Sequence, residues 1–238
     1  VGGHRLHLQA MLKPDYSGPV VVIEGGLGTA SYDHPYAREV ARIASVVTYD
    51  HGGMGWSDPV EGDRNADILM GELRALLKAA GVLPPYLLVA HSLGGWNARV
   101  FFSKYPEDTA GLVLLDVPLV EFAEPREHER LLNVLRWLDL GTPFGAPSLF
   151  LPEPVHYPAF DAEAQERAVR MKNRPREAHT VWLEVKALTP EYVLGRVRGL
   201  RPLAGLPVEV VIAEGWARPA WWLRGEEALR DMGPNLRF

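Results

Sequence analysis

The chain contains no cysteine among its 238 residues. A disulfide framework, a thiolate zinc site and a cysteine nucleophile are excluded together. No apolar run approaches the ~18 residues that a membrane span needs, and no basic segment leads into an apolar one as in a secretory leader. Positive charge is not in surplus either: 25 Lys and Arg stand against 30 Asp and Glu, a formal net charge of −5. Segments that carry Arg also carry Glu, so no basic stripe is left to neutralise a phosphate backbone, and no nucleic-acid partner is expected. Internal repeats and low-complexity stretches are missing too. With neither leader nor span, the expected compartment is the cytoplasm. The chain begins with Val1 rather than Met, so its N-terminus is expected to be incomplete.

What is present is apolar and periodic. Hydrophobic residues make up 47%, enough at this length for one sizeable domain with a deep core. Through the first half, short apolar runs alternate with helical patterns, as in βαβ units around a parallel sheet. Leu6, Leu8, Ala10 and Leu12 read as a strand of period two. The runs 20–23, 45–49, 86–90, 112–115 and 208–213 read as further strands, buried on both faces where the apolar run is continuous. Leu69, Leu73, Leu76, Leu77 and Ala80 form one helical stripe with Gly81 at its C-terminal end. Leu93, Trp96, Asn97, Val100 and Phe101 form a second, closed by Pro106. From about 117 to 201 this rhythm breaks into helical stretches at 124–139, 161–173, 175–188 and 190–198, with a Gly/Pro/aromatic loop over 141–158. The expected architecture is α/β: a mostly parallel, doubly wound core over 1–116 and 202–238, and an inserted helical cap over 117–201. A cap at that point would cover the carboxyl ends of the strands, where open α/β sheets bind ligands.

The sharpest motif is Ala90-His91-Ser92-Leu93-Gly94-Gly95, set between a buried strand and an amphipathic helix. A serine on such a strand–turn–helix is held in a tight turn that lifts its hydroxyl clear at the top of the sheet, facing the helix N-terminus. The crowded backbone requires small residues two positions to either side, here Ala90 and Gly94. The plainer alternative is that Ser92 only caps a helix in a glycine-rich turn.

With its surroundings, this motif resembles the α/β-hydrolase superfamily, the group of esterases, C–C bond hydrolases and related serine hydrolases. The resemblance runs from about 2 to 116 and again near 207–238. Val21-Val22-Ile23-Glu24-Gly25-Gly26-Leu27-Gly28 stands where the family has a strand and an oxyanion-hole loop, with Glu24 in place of the usual His. Tyr49-Asp50-His51-Gly52-Gly53-Met54-Gly55-Trp56-Ser57-Asp58 is similar to the family's strand-end loop, with Asp50 and Ser57 expected to order it through hydrogen bonds to backbone. Gly111-Leu112-Val113-Leu114-Leu115-Asp116 matches the strand after the nucleophile helix.

The resemblance implies Ser92 as nucleophile, with backbone N–H groups of Gly26 or Leu27 and of Leu93 facing the developing oxyanion. A serine hydroxyl needs a base and the base an orienting acid, in the chain order Ser, acid, His. The first candidate for the acid is Asp116, as in the family's variation with the acid at the end of the preceding strand; the second is Glu214. Of the eight histidines none follows Pro207, so the base is expected beyond Phe238. His91 and His51 are the weaker in-chain alternatives, and His128, His156 and His179 fall in the cap. Residues 1–238 alone are therefore expected to hydrolyse activated esters poorly. The aromatics Phe144, Phe150, Tyr157, Trp182, Trp216, Trp221 and Trp222 are expected in core packing or in an apolar acyl pocket.

The implied activity is hydrolysis of an ester-like or related acyl small molecule, with no cofactor and no metal. The alternatives are an acyltransferase using the same site and a non-catalytic binding module that keeps the fold. No feature of the sequence speaks to oligomeric state.

Overall fold

In the computed structural model, the described residues are 1–34, 36–141, 174–214, 218–232 and 236–237, with isolated positions between 162 and 170. Of the expected loop over 141–158 only Gly141 is described, as the last residue of a helix; the rest, and most of the helix over 161–173, lie outside the described residues, as do Phe144, Phe150, Tyr157, His156 and Trp216.

The described residues form one seven-stranded sheet in the order β1-β3-β2-β4-β5-β6-β7. Its strands are β1 (Leu8–Met11), β2 (Val20–Glu24), β3 (Val46–Tyr49), β4 (Tyr86–His91), β5 (Thr109–Leu115), β6 (Val208–Val211) and β7 (Leu236–Arg237). Only β1 runs antiparallel, against β3; every other pairing is parallel. The fold is thus α/β with a mostly parallel sheet. The chain steps from β2 outward to β3 and then returns across β2 to β4. Strand order reverses at that point, and a crevice opens beyond the carboxyl ends of β2 and β4.

The continuous apolar runs divide between two faces because side chains alternate along a strand. Val22 of β2, with Leu88 and Ala90 of β4, joins the larger core under helices α2 (Ala66–Ala79) and α3 (Gly94–Lys104). Val21 and Ile23 join Val46, Ala37 and Ala44 on the opposite face, where the single-turn helix α1 (Ala37–Val40) packs. Along α2 the expected stripe is buried at Leu69, Leu73, Leu76 and Leu77, whereas Ala80 lies exposed as the C-cap. Gly81 follows at φ +70, and Val82 N–H donates to Leu77 O at 2.9 Å. That left-handed stop is one glycine adopts without a Cβ penalty.

Between β5 and β6 lie helices α4 (Pro125–Gly141), α5 (Pro175–Ala187) and α6 (Pro190–Val197). α7 (Ala220–Arg230) follows β6. It was not evident in the sequence, because Gly225 interrupts its pattern. That glycine is buried against Leu119, and a Cβ there would meet the Leu119 Cβ at 3.1 Å.

Three further boundaries depart from the pattern. β1 does not bury alternate residues: its centre is exposed, and so is Leu12, as an edge strand with one partner allows. β5 starts at Thr109, three residues before its apolar run. β6 stops at Val211 because Asp116 turns out of β5 and its carboxylate accepts the Ala213 N–H at 3.2 Å, which ends the ladder. No helix among the described residues is long and apolar enough to cross a membrane.

The Asn65 side chain caps α2, accepting the Ile68 N–H at 3.1 Å. Asn65→Ala is expected to cost about 1 kcal/mol, read as a lower urea midpoint at unchanged slope.

Candidate active site

β4 ends at His91, and Ser92 follows at φ +50. A non-glycine residue in the left-handed region is strained by roughly 1–2 kcal/mol. It is held there by the Ser92 N–H, which donates to Leu115 O at 3.1 Å, and by the Gly95 N–H, which closes the turn onto Ser92 O at 2.9 Å. The small neighbours are steric necessities. A Cβ on Gly94 would collide with the Gly25 carbonyl oxygen and lie 2.7 Å from that of Glu24. On Gly95 it would lie 2.7 Å from the Val117 Cβ. Ala90 is fully buried.

The Gly25–Gly28 turn lies directly against this serine: a Cβ on Gly26 would stand 3.0 Å from the Ser92 Cβ. Leu27, Ser92 and Leu93 line one cavity of about 460 Å³. Among the described residues, no acceptor takes the N–H of Gly26, Leu27 or Leu93. Two backbone segments with uncommitted N–H groups thus lie next to the serine, at the start of α3, where the helix dipole favours negative charge.

The neighbouring strand ends in a second strained residue. Asp116 has φ +48 and donates its N–H to Val211 O at 2.7 Å. Besides the Ala213 N–H, its Oδ1 accepts from Arg218 Nη2 at 3.2 Å. Glu214 is exposed beyond the end of β6.

No histidine among the described residues bonds to Ser92. His51, weighed as an in-chain base, is instead enclosed by carboxylates: Nε2 lies 3.2 Å from Glu24 Oε1 and Nδ1 lies 2.8 Å from Glu184 Oε1. Burial opposes its charge, but Glu24 and Glu184 overcome that and hold the imidazole at a pKa of about 10. Glu24 also accepts from Tyr49 OH and, at 2.7 Å, from Asn97 Nδ2. The His-to-Glu exchange seen in the sequence is therefore part of a buried network joining β2, β3, α3 and α5. His128 lines the cavity on α4, with Nε2 2.9 Å from Val185 O. His179 lies between Asp139 and Glu61, His7 against Asp50, and His4 against Glu72.

Asp50 and Ser57 order their loop as anticipated. Asp50 accepts from the N–H groups of Ser31 at 2.7 Å and Trp56 at 2.9 Å, while Ser57 Oγ donates to Asp50 O at 2.7 Å. That α5 clasps this same loop with polar groups is not signalled by any local pattern. Glu177 Oε1 accepts the Gly55 N–H at 2.9 Å, Arg176 donates to Gly55 O, and Thr180 lies close against Gly53. Glu177, Thr180 and Glu184 share one buried face of α5. A polar face at that spacing reads as solvent-facing in a sequence. The one local signal was Asn97 inside an apolar stripe.

The profile of the family described as alpha/beta hydrolase fold matches residues 18–148. Among curated proteins, the uncharacterized protein YqjL of Bacillus subtilis is 40% identical over 108 residues, covering 45% of this chain and 43% of that protein. An AB hydrolase superfamily protein of Gibberella zeae is 29% identical over 116 residues, 48% of this chain and 35% of its own length. The matched stretch thus spans less than half of either relative. A thermophilic esterase from Thermogutta terrifontis superposes with a TM-score of 0.73 at 20% identity, covering 99% of this chain and 84% of that one. MGS-M2, an alpha/beta hydrolase enzyme from a deep-sea metagenome library, gives 0.70 at 16% identity over 98% and 84%. At such identities these structures share the fold.

Burial raises the Glu177 carboxyl from 4.5 to about 7, against the pull of the Gly55 N–H and Arg176. Its folded pKa lies above the unfolded one, so its stabilising effect is present below about 4.5 and is lost as pH rises through about 7. Glu177→Gln keeps an acceptor for Gly55 and cannot ionise. It is expected to exceed the parent in stability by about 1–3 kcal/mol at pH 8.5 and to match it near pH 4.5, read by thermal melts across pH.

Proposed function

The chain belongs to the alpha/beta hydrolase fold family, and from that premise we propose that it is a serine hydrolase acting on an ester-like or related acyl substrate. The observation that carries the reading is the juxtaposition at Ser92: a strained serine lining a cavity beside N–H groups of Leu27 and Leu93 that no described residue occupies. Ser92 Oγ attacks the acyl carbonyl, and the oxygen that becomes anionic is met by those donors. The proton leaves Ser92 for a histidine base and passes from it to the departing alcohol. Water then attacks the acyl-enzyme by the same route in reverse roles.

The histidines described here are engaged elsewhere or, like His91, adjoin the serine on an exposed strand end. The proposal assigns the base to a histidine, and none of the described ones is bonded to Ser92. Asp116 is its orienting acid: it ends the strand beside Ser92 and its carboxylate is fixed by Ala213 and Arg218, whereas Glu214 is exposed. The insertion over 117–201 serves as a cap, since α4, α5 and α6 all contribute to the cavity wall.

In the full-length protein, a fluorophosphonate probe is expected to label the parent and not Ser92→Ala. Asp116→Asn is expected to lower kcat by about 10³–10⁴-fold with little change in KM. A full-length parent that resists the probe, or a Ser92→Ala variant that still takes it, would overturn the assignment.

A further inference from the structure

We infer that the cavity opening on Ser92 is an acyl site for uncharged, medium-length aliphatic chains, and that it rejects acyl groups ending in a carboxylate. The inference deepens the reading of Ser92 and rests on it for its catalytic meaning. Its evidence is the composition of the wall.

Ser92 and Leu93 line a space of about 460 Å³, within the range of small-molecule sites. The rest of the wall is largely aliphatic and aromatic, including Leu131, Leu188, Leu194, Trp221 and Trp222. Leu131 and Leu194 are large apolar residues whose surfaces remain open, so a chain lying along them would remove apolar area from water.

Charge decides what the far end of the chain can be. Among the described lining residues there is no Lys or Arg, while Glu121 and Glu127 are both present. Glu121 is already bound by Arg99 through contacts of 3.1 and 2.8 Å, which neutralises it and occupies the nearby guanidinium. A carboxylate on the substrate would lose hydration without gaining a counter-ion among the described lining residues, and would meet Glu127 in the same wall. A methyl terminus meets no such penalty, and each methylene buried is worth about fourfold in affinity. His128 holds Val185 O with Nε2, which ties α4 to α5.

The test measures equilibrium binding to the full-length chain carrying Ser92→Ala, by calorimetry, so that it does not depend on turnover. The probes are methyl butanoate, methyl hexanoate, methyl octanoate and monomethyl suberate. Affinity is expected to rise at least tenfold from the butanoate to the octanoate, and the suberate is expected to bind at least tenfold more weakly than the octanoate. Adding Ala123→Phe, which fills the wall at a small lining residue, is expected to abolish the gain from chain length and leave the butanoate unaffected. Equal affinity along the series, suberate binding as tight as octanoate, or a gain that survives Ala123→Phe would each overturn the inference. Probe labelling of Ser92 separates the two readings. Labelling without chain-length discrimination refutes the acyl site alone, and discrimination without labelling supports the site while refuting the nucleophile.

Discussion

The architecture of the site depends on one close approach of backbone to backbone. The start of α3 presses onto the carbonyls of Glu24 and Gly25 so closely that Gly94 leaves no room for a Cβ. That contact brings the Gly25–Gly28 turn against Ser92, sets Leu27 and Leu93 along the same cavity, and directs Glu24 into the protein, where Asn97, Tyr49 and His51 meet it. The strain at Ser92 is sustained because packing on both sides fixes the backbone: β5 holds its N–H, and the fully buried Ala90 precedes it. Strain of this kind persists where surroundings over-determine a conformation.

Much of this was legible in the residues themselves. The elbow could be read because its requirements are steric and local: Ala90, Gly94 and Gly95 are small where a larger side chain would collide. The parallel sheet could be read because its strands are covered on both faces and therefore appear as unbroken apolar runs such as 20–23. The loop after β3 announced its own wiring, since Asp50 and Ser57 bond to backbone within a few residues. Asp116 was visible as the last residue of a strand pattern, and its ties to Ala213 and Arg218 came only with the fold.

The contacts of α5 were not legible, and the reason is physical. Glu177 pairs with a residue 122 positions away and Glu184 with one 133 away, and neither separation has a periodic signature. A helix that presents Glu, Thr and Glu to a protein surface has the same pattern as one that presents them to water. α7 was hidden for a related reason: Gly225, a poor helix residue by propensity, packs tightly against Leu119, where a Cβ would stand 3.1 Å from the leucine Cβ.

That resemblance between a docked face and a wetted one has its own consequence. Toward the loop after β3, α5 offers Glu177, Thr180 and Glu184 to the peptide groups of Gly55, to Gly53 and to the imidazole of His51, and water can serve each of these polar groups. If these polar contacts alone parted, hydration would replace most of what was lost, a substitute that Leu183 and Val185, buried on the same helix, do not have. The aliphatic wall of the cavity behaves in the opposite way, since water gains nothing by entering it. Residues 177–188 therefore lie where two kinds of adhesion meet, one that water can substitute for and one that it cannot.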